Sequence, residues 1–450
     1  MITQNIIDSS NAISKISVEK LFGYYTYEIP EHGKEYGNLS RLIILYGDNG
    51  SGKTTILRLL HSILSPAMHA GHRTFIGKQK FKRFEVQLVN GTRVVAERGG
   101  EILEGKYNLS IWKGNSSLVE MELVPNKEGS IRVEGEVEVT LSVFCRLLED
   151  LNLGLYFLAD NRKVLGKEEA EGEETLTLWT GEEQRLIRGR KIEAVNGIKD
   201  MAIQTAINGV NELFRDQTMK GASVGETNVN TIYTDVVKSI ASTPSNEETV
   251  TEVKIGELLD TLGNLKRRSK PFSDLGLISS LDVAEITSVL KKIPAETTTI
   301  MYSVLKPYVD GTTARIDALE EVKDLIVAFI DGTSEFYVDK KVSFDISNGL
   351  RIYEKNGKIL DPSLLSSGEK QLLLLFCNTI AARGRSGVFI IDEPEISLNV
   401  KWQRKLVDSL LKLVGEADVQ FLLATHSIEL LARHRENVVK LVDISSKSKK

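Results

Sequence analysis

Cysteine is almost missing: the 450-residue chain holds only Cys145 and Cys377. Two thiols so far apart build neither a disulfide framework nor a zinc site, and a reducing compartment is expected. An excess of basic charge is missing too. Lys and Arg number 57 against 62 Asp and Glu, a formal charge of −5, so composition alone does not announce a nucleic-acid binder. The basic runs Lys266, Arg267, Arg268, Lys270 and residues 447–450 read as solvated surface rather than phosphate tracks. No apolar run approaches the roughly 18 residues of a membrane span, and the first residues lack the charged and apolar regions of a signal peptide. The expectation is a cytoplasmic protein with no membrane partner. Internal repeats and a sustained heptad are also absent, which argues against a long coiled coil. With 41% hydrophobic residues over this length, the chain is expected to fold as two or three packed units.

What is present is concentrated in a few places. Residues 47–54 read GDNGSGKT and match G-x-x-x-x-G-K-[ST] at every specified position. Gly47, Gly50 and Gly52 let the backbone curl until several N–H groups face one anion, and the helix that follows presents its positive end to the same point. Lys53 suits the β- and γ-phosphates and the Thr54 hydroxyl suits Mg²⁺. The nucleotide contacts are expected from Gly47, Asn49, Gly50, Ser51, Gly52, Lys53, Thr54 and Thr55. A strand over 42–46 and a helix over 55–64 flank the loop, as this motif requires.

Strand texture covers 16–29 and 83–98, the latter a hairpin turning at Asn90-Gly91. More alternating segments run to about 139, a short helix is expected near 140–150, and 155–162 (LYFLADNR) reads as a buried strand with a polar end. The texture then becomes helical. Ile316, Leu319, Val322, Ile326, Phe329 and Ile330 recur at helical spacing, giving one apolar face of a helical hairpin or small bundle. Strands return at 341–347 and 350–355, followed by βαβ-like alternation. The expected plan has three parts: residues 1–165 as an N-terminal lobe, 166–340 as a helical insertion suited to dimerisation or partner binding, and 341–450 as a C-terminal lobe.

A second group of motifs completes a nucleotide site. Residues 388–391 form an apolar strand ending in Asp392 and Glu393. Two adjacent carboxylates at a buried strand end are costly without a cation nearby. Asp392 suits the Mg²⁺ shell, and Glu393 suits an attacking water. Upstream, Ser366, Ser367, Gly368 and Glu369 open a helix; alone they read as a helix cap, yet such an end also suits a γ-phosphate. Downstream, His426 ends another apolar strand, where open α/β sheets bind ligands, and is the candidate sensor of the γ-phosphate.

In their order these residues resemble the ABC-type ATPase heads of the SMC, Rad50 and RecF group. The resemblance makes 47–54 a Walker A loop, 365–371 the signature, 388–393 Walker B, 397–399 the D-loop and His426 the switch histidine. It implies an α/β fold, an ABC-type P-loop ATPase head of mixed sheets with flanking helices, carrying a helical insertion. It also implies that ATP glues two copies of the chain, the signature of one meeting the nucleotide of the other. One departure stands out. A Q-loop glutamine is missing, and residues 159–162 (ADNR) are the nearest substitute. Within the group, LFGYYTYEI, LSSGEKQ and DEPEISLN look like the stand-alone AAA-type ATPases of bacterial anti-phage systems, most like the AriA family of PARIS, with PtuA-like proteins as the alternative. That implies a slow ATPase that holds a separate Toprim-type nuclease until a phage protein, of acidic DNA-mimic type, triggers release. So few residues follow His426 that no Toprim domain is expected in this chain.

Four readings therefore compete: a defence sensor and scaffold, a DNA-repair clamp that binds DNA, the nucleotide-binding subunit of a transporter, and a nuclease in its own right. The first leads and the DNA clamp comes second, while the large insertion and DEPEISLN do not suit the transporter subunit.

Overall fold

The computed structural model describes residues 11–30, 41–131, 135–158, 203–221, 252–281, 283–290, 298–384, 387–396 and 398–444. The chain divides into two compact units, Met1–Ala206 with Leu365–Lys450, and Ile207–Leu364.

The first unit holds two sheets. Strands β1 (Ile13–Leu21) and β2 (Tyr25–Ile29) join β4 (Arg83–Leu88), β5 (Thr92–Glu97), β6 (Tyr107–Lys113) and β7 (Ser116–Leu123) in an antiparallel sheet ordered β2-β1-β4-β5-β6-β7. The other sheet is parallel throughout, ordered β14-β3-β13-β12-β8, from β3 (Leu42–Tyr46), β8 (Gly154–Leu158), β12 (Gly387–Asp392), β13 (Val419–Ala424) and β14 (Val438–Lys440). Every residue of β12 and β13 is buried, as expected of central parallel strands covered on both faces. Helix α1 (Lys53–Leu64) packs on β8, β12 and β13 and also on β5. Accordingly Ile56, Leu57, Leu59, Leu60 and Ile63 are fully buried in the core shared by the two sheets. A polar clasp adds to it: buried Gln420 of β13 accepts from Ile13 N at 2.9 Å and donates to Ile13 O at 3.1 Å, fastening β1 to the parallel sheet.

Two buried arginines end short helices here without a carboxylate. Arg73, in α2 (His72–Lys78), donates to Ser62 O and Ser65 O at the end of α1, and Arg98 donates to Ile76 O and Gly77 O at the end of α2. Cations belong at helix C-termini, where carbonyls are left over.

Two elements depart from the sequence expectations. Helix α1 begins at Lys53, because Gly52 at φ +89° is its N-cap and the helix starts inside the motif. Helix α3 runs over Glu136–Asp150 rather than near 140–150. The EVEVT run that opens α3 alternates like a strand, but Leu141, Phe144, Cys145 and Leu148 are buried at helical spacing and decide the outcome. Strand β8 is described to Leu158; residues 159–162 lie outside the described residues.

The second unit contains α4 (203–221) from Ile207 onward, α5 (Glu252–Asp274), α6 (Val283–Leu290) and α7 (Thr298–Ser334), with an antiparallel meander β9 (Lys340–Asp345), β10 (Gly349–Glu354) and β11 (Ile359–Leu360). On α7, Ile316, Leu319, Val322, Ile326 and Phe329 are buried and Ile330 is half-buried. Phe214 of α4 meets Phe329 and Phe344 edge-on. Asn211 Oδ1 accepts from Leu350 N at 2.8 Å, and Ile346 N donates to Leu275 O. These bonds attach the meander to the helices within the unit, which runs to Leu364. Among the described residues no helix is long and apolar enough to cross a membrane.

Candidate nucleotide-binding site

The site starts where β3 ends. Leu42, Ile44 and Leu45 are fully buried and deliver Gly47 to a loop that turns through Gly50 (φ +81°) and Gly52 (φ +89°). Both lie in the left-handed region that glycine enters freely. Gly52 is also required by space: a Cβ there would stand 2.6 Å from Leu21 Cδ2. The tip of the β1–β2 turn thus abuts the loop. Gly52 gives α1 no side-chain cap, and no acid lies in its first turn, which leaves a bare positive helix end. Ser51 is buried, and its Oγ has no hydrogen-bond partner among the described residues. Lys53 Nζ donates to Gly47 O at 2.8 Å and Asp48 O at 3.2 Å, so the ammonium lies over the loop. Asn49 is exposed, and Thr54 and Thr55 are half-buried on the first turn of α1.

Parallel registration brings the other motifs to this end of the sheet. Asp392 pairs with Ala424, and Ala424 with Leu45. The residues that follow, Glu393, Thr425 and Tyr46, therefore leave three adjacent strands at the same edge, the carboxyl edge where open α/β sheets bind ligands. Asp392 is 2% exposed. Burial lowers the Lys53 pKa, while Glu393, Asp392, Asp48 and Glu395 act in the opposite direction. Those acids are thus close enough for their field to act on the ammonium. Glu393 sits at φ +48°, held there by its N–H donating to Ala424 O at 2.8 Å. That conformation costs a side-chain-bearing residue about 1 kcal/mol and clusters at functional sites. His426 Nε2 lies 3.8 Å from Glu393 Oε1.

Lys53, Asp392, Glu393 and His426 are thereby gathered with the loop. Ser366, Ser367, Gly368 and Glu369 form a helix start of their own, at α8 (Ser367–Ala381). Ser366 Oγ accepts from Glu369 N, and Glu369 Oε2 accepts from Ser366 N at 2.8 Å, a capping box. Ser366 and Ser367 are exposed, whereas Gly368 and Glu369 are buried. Of the D-loop, Ser397 lies outside the described residues. Leu398 is buried, and Asn399 caps α9 (Val400–Val414) by accepting from Trp402 N at 3.0 Å.

One residue escaped the sequence reading. Glu395 Oε1 accepts from His426 N at 2.7 Å and Ser427 N at 3.1 Å. The signal was the third acid in DEPE, two residues past Glu393; nothing in the spacing says that it reaches the neighbouring strand's loop.

ATP with Mg²⁺ fits these residues. An orphaned buried hydroxyl, a bare helix end and a glycine cradle suit phosphate oxygens. The hydroxyl of Thr54 and the carboxylate of Asp392 are hard oxygen donors, and Mg²⁺ at a nucleotide takes one or two carboxylates with the rest from phosphate and water.

Residues 233–432 match the family described as "AAA domain, putative AbiEii toxin, Type IV TA system", a span that includes α8, β12 and His426. The lipoprotein-releasing system ATP-binding protein LolD of a Ruegeria species is 38% identical over 72 residues, 16% of this chain and 30% of that protein. LolD of Ruegeria pomeroyi is 37% identical over 82 residues, 18% of this chain and 34% of that protein. The chain thus spans about a third of the length of these relatives. Among solved structures, the Smc head domain with an extended coiled coil bound to the C-terminal domain of ScpA, from Pyrococcus furiosus, aligns at TM-score 0.36 and 13% identity over 96% of this chain and 94% of that one. An SmcHead bound to the C-winged helix domain of ScpA aligns at TM-score 0.33 and 12% identity, over 97% and 99%. With its P-loop and parallel sheet the chain has the α/β fold of an ABC-type P-loop ATPase, and residues 233–432 are similar to an AAA domain.

Proposed function

We propose that this chain binds and slowly hydrolyses ATP, and uses the nucleotide as a switch within a cytoplasmic anti-phage system. In this reading it holds a separate Toprim-type nuclease and releases it on meeting a phage protein. The observation that carries the ATPase half is the convergence of Lys53, Asp392, Glu393 and His426 on one sheet edge beside the glycine loop. The defence half is supported by the matched family's description, which names a toxin–antitoxin setting, and by the resemblance carried by LSSGEKQ and DEPEISLN.

The chemistry follows from the groups present. Lys53 and the N–H groups around Gly50, Ser51 and Gly52 bind the β- and γ-phosphates. Thr54 and Asp392 would hold Mg²⁺, which supplies charge neutralisation at those phosphates. Glu393 orients a water on the γ-phosphorus and takes its proton as the bond to ADP breaks. His426, beside the Glu393 carboxylate, reads the γ-phosphate. Ser366 and Ser367 of a second copy close over the nucleotide, so ATP joins two heads.

The test is phage challenge of cells expressing this chain with and without the adjacent gene. Protection that needs both genes and is abolished by Lys53→Ala is the expected result. Full protection by this chain alone sinks the effector half. ATP turnover stimulated by plain duplex DNA, without protection, selects the DNA-clamp reading instead.

A further inference from the structure

Glu393 and Glu395 stand two apart in the stretch after β12, with buried Pro394 between them. Both reach the same residue on the neighbouring strand's loop. Glu393 faces the His426 ring at 3.8 Å, while Glu395 Oε1 takes the His426 N–H at 2.7 Å and the Ser427 N–H at 3.1 Å. One carboxylate oxygen accepting from two successive backbone donors fixes the peptide between them. Because the acceptor is charged, each bond is stronger than a neutral one.

The clamp continues past Ser427. Ser427 N also donates to Thr425 Oγ1 at 2.9 Å, and Ser427 Oγ donates to Gln403 Oε1 at 2.8 Å. Gln403 Nε2 then donates to Leu398 O at 2.9 Å. A polar chain therefore runs from Glu395 through Ser427 to Gln403 on α9, and Gln403 Nε2 returns to Glu395 O at 3.5 Å. The other carboxylate oxygen, Oε2, is buried with no hydrogen-bond partner among the described residues. A buried acceptor left unsatisfied costs stability, so packing alone gives no reason to keep a charged side chain here.

We infer that Glu395 is a positioning residue for nucleotide hydrolysis, holding the backbone of His426 so that its imidazole stays beside Glu393. This rests on the ATPase reading above. Glu395 touches neither phosphate nor water in this role; it acts through His426. Its charge also acts on Lys53, together with Asp392 and Glu393.

Three variants separate this role from a plain loop staple. Glu395→Gln keeps an acceptor oxygen of the same reach, Glu395→Ala removes it, and Glu395→Asp draws it back by one methylene. Three quantities are measured: amide hydrogen exchange at residues 426 and 427 in the nucleotide-free protein, ATP turnover, and ATP affinity. Glu395→Ala and Glu395→Asp are expected to speed exchange at those two amides and lower kcat by about 10- to 100-fold, the scale of an ångström's misplacement, with ATP Kd changed less than about 3-fold. Glu395→Gln is expected to restore slow exchange and most of the turnover. Unchanged exchange in Glu395→Ala overturns the clamp. Faster exchange with wild-type kcat leaves a staple only and overturns the positioning role. A wild-type protein that binds no ATP overturns the ATPase reading itself, and the positioning role falls with it.

Discussion

A glutamate at φ +48° is held against its own backbone preference, and the strand beside it does the holding. Glu393 N donates to Ala424 O, so the central sheet fixes the residue that the proposed chemistry uses. Glutamine has the same shape and tolerates the same backbone, yet it cannot accept a proton from water. Glu393→Gln is therefore expected to keep ATP and Mg²⁺ binding while slowing hydrolysis by about 10² or more, the usual scale for losing a general base. Lys53→Ala is expected to weaken binding itself. Single-turnover hydrolysis beside an equilibrium binding titration checks both, and wild-type turnover in Glu393→Gln would remove its role as base. The same scale shows why Glu395 stayed hidden in the sequence. Asp392, Glu393 and Lys53 belong to contiguous motifs, whereas Glu395 acquires its partners only when β12 and β13 lie side by side.

At the scale of elements, α1 is largely buried, and it carries a titratable passenger. His61, in its last turn, is 8% exposed, stacks on Phe157 and meets His72 edge-on. Burial, aided by Arg58, lowers its pKa to about 4. Since the unfolded value is about 6.5, the unfolded chain binds the proton more readily between those two values. The contribution of His61 is thus fully present above about pH 6.5 and is lost as pH falls towards 4, on the order of 3 kcal/mol in all. Chemical denaturation of wild type and His61→Leu at pH 7 and at pH 4.5 reads this: the variant should lose less stability over the interval, and equal losses would contradict the buried neutral imidazole. Strands β3, β12 and β13 were legible because a parallel strand buried on both faces is a short unbroken apolar run. Helix α3 was legible only in part, since its first turn alternates like a strand and tertiary burial overrode the pattern. Strands β9 and β10 of the meander were legible, and the two-residue β11 was not. The meander's attachment to α4 and the segment after α5, through Asn211 and Leu275, is a long-range contact that local texture does not encode.

At the scale of the whole molecule, the proposed site is shared between two copies, and that arrangement has a genetic signature. Ser366 is exposed at the start of α8, where its hydroxyl completes the capping box. Its backbone bond to Glu369 is local, so a bulky charge in its place costs the helix no more than a cap, about 1 kcal/mol. Ser366→Arg should then leave ATP binding by a single copy intact while blocking ATP-dependent pairing, because the arginine would enter the partner copy's phosphate site. Lys53→Ala should fail from the opposite side, by losing nucleotide. Each variant alone is expected to be inactive in turnover. Mixed, they form heterodimers with one site in which both Lys53 and Ser366 are intact and one in which neither is. If hydrolysis occurs across the pair, the mixture regains up to about half of the activity per dimer, read as ATP turnover against the fraction of heterodimer measured by differential tagging. The coupling needed to favour pairing with ATP is only about 1–3 kcal/mol, so a single blocked contact suffices to abolish it. No recovery in verified heterodimers would overturn the sharing of one site between two copies.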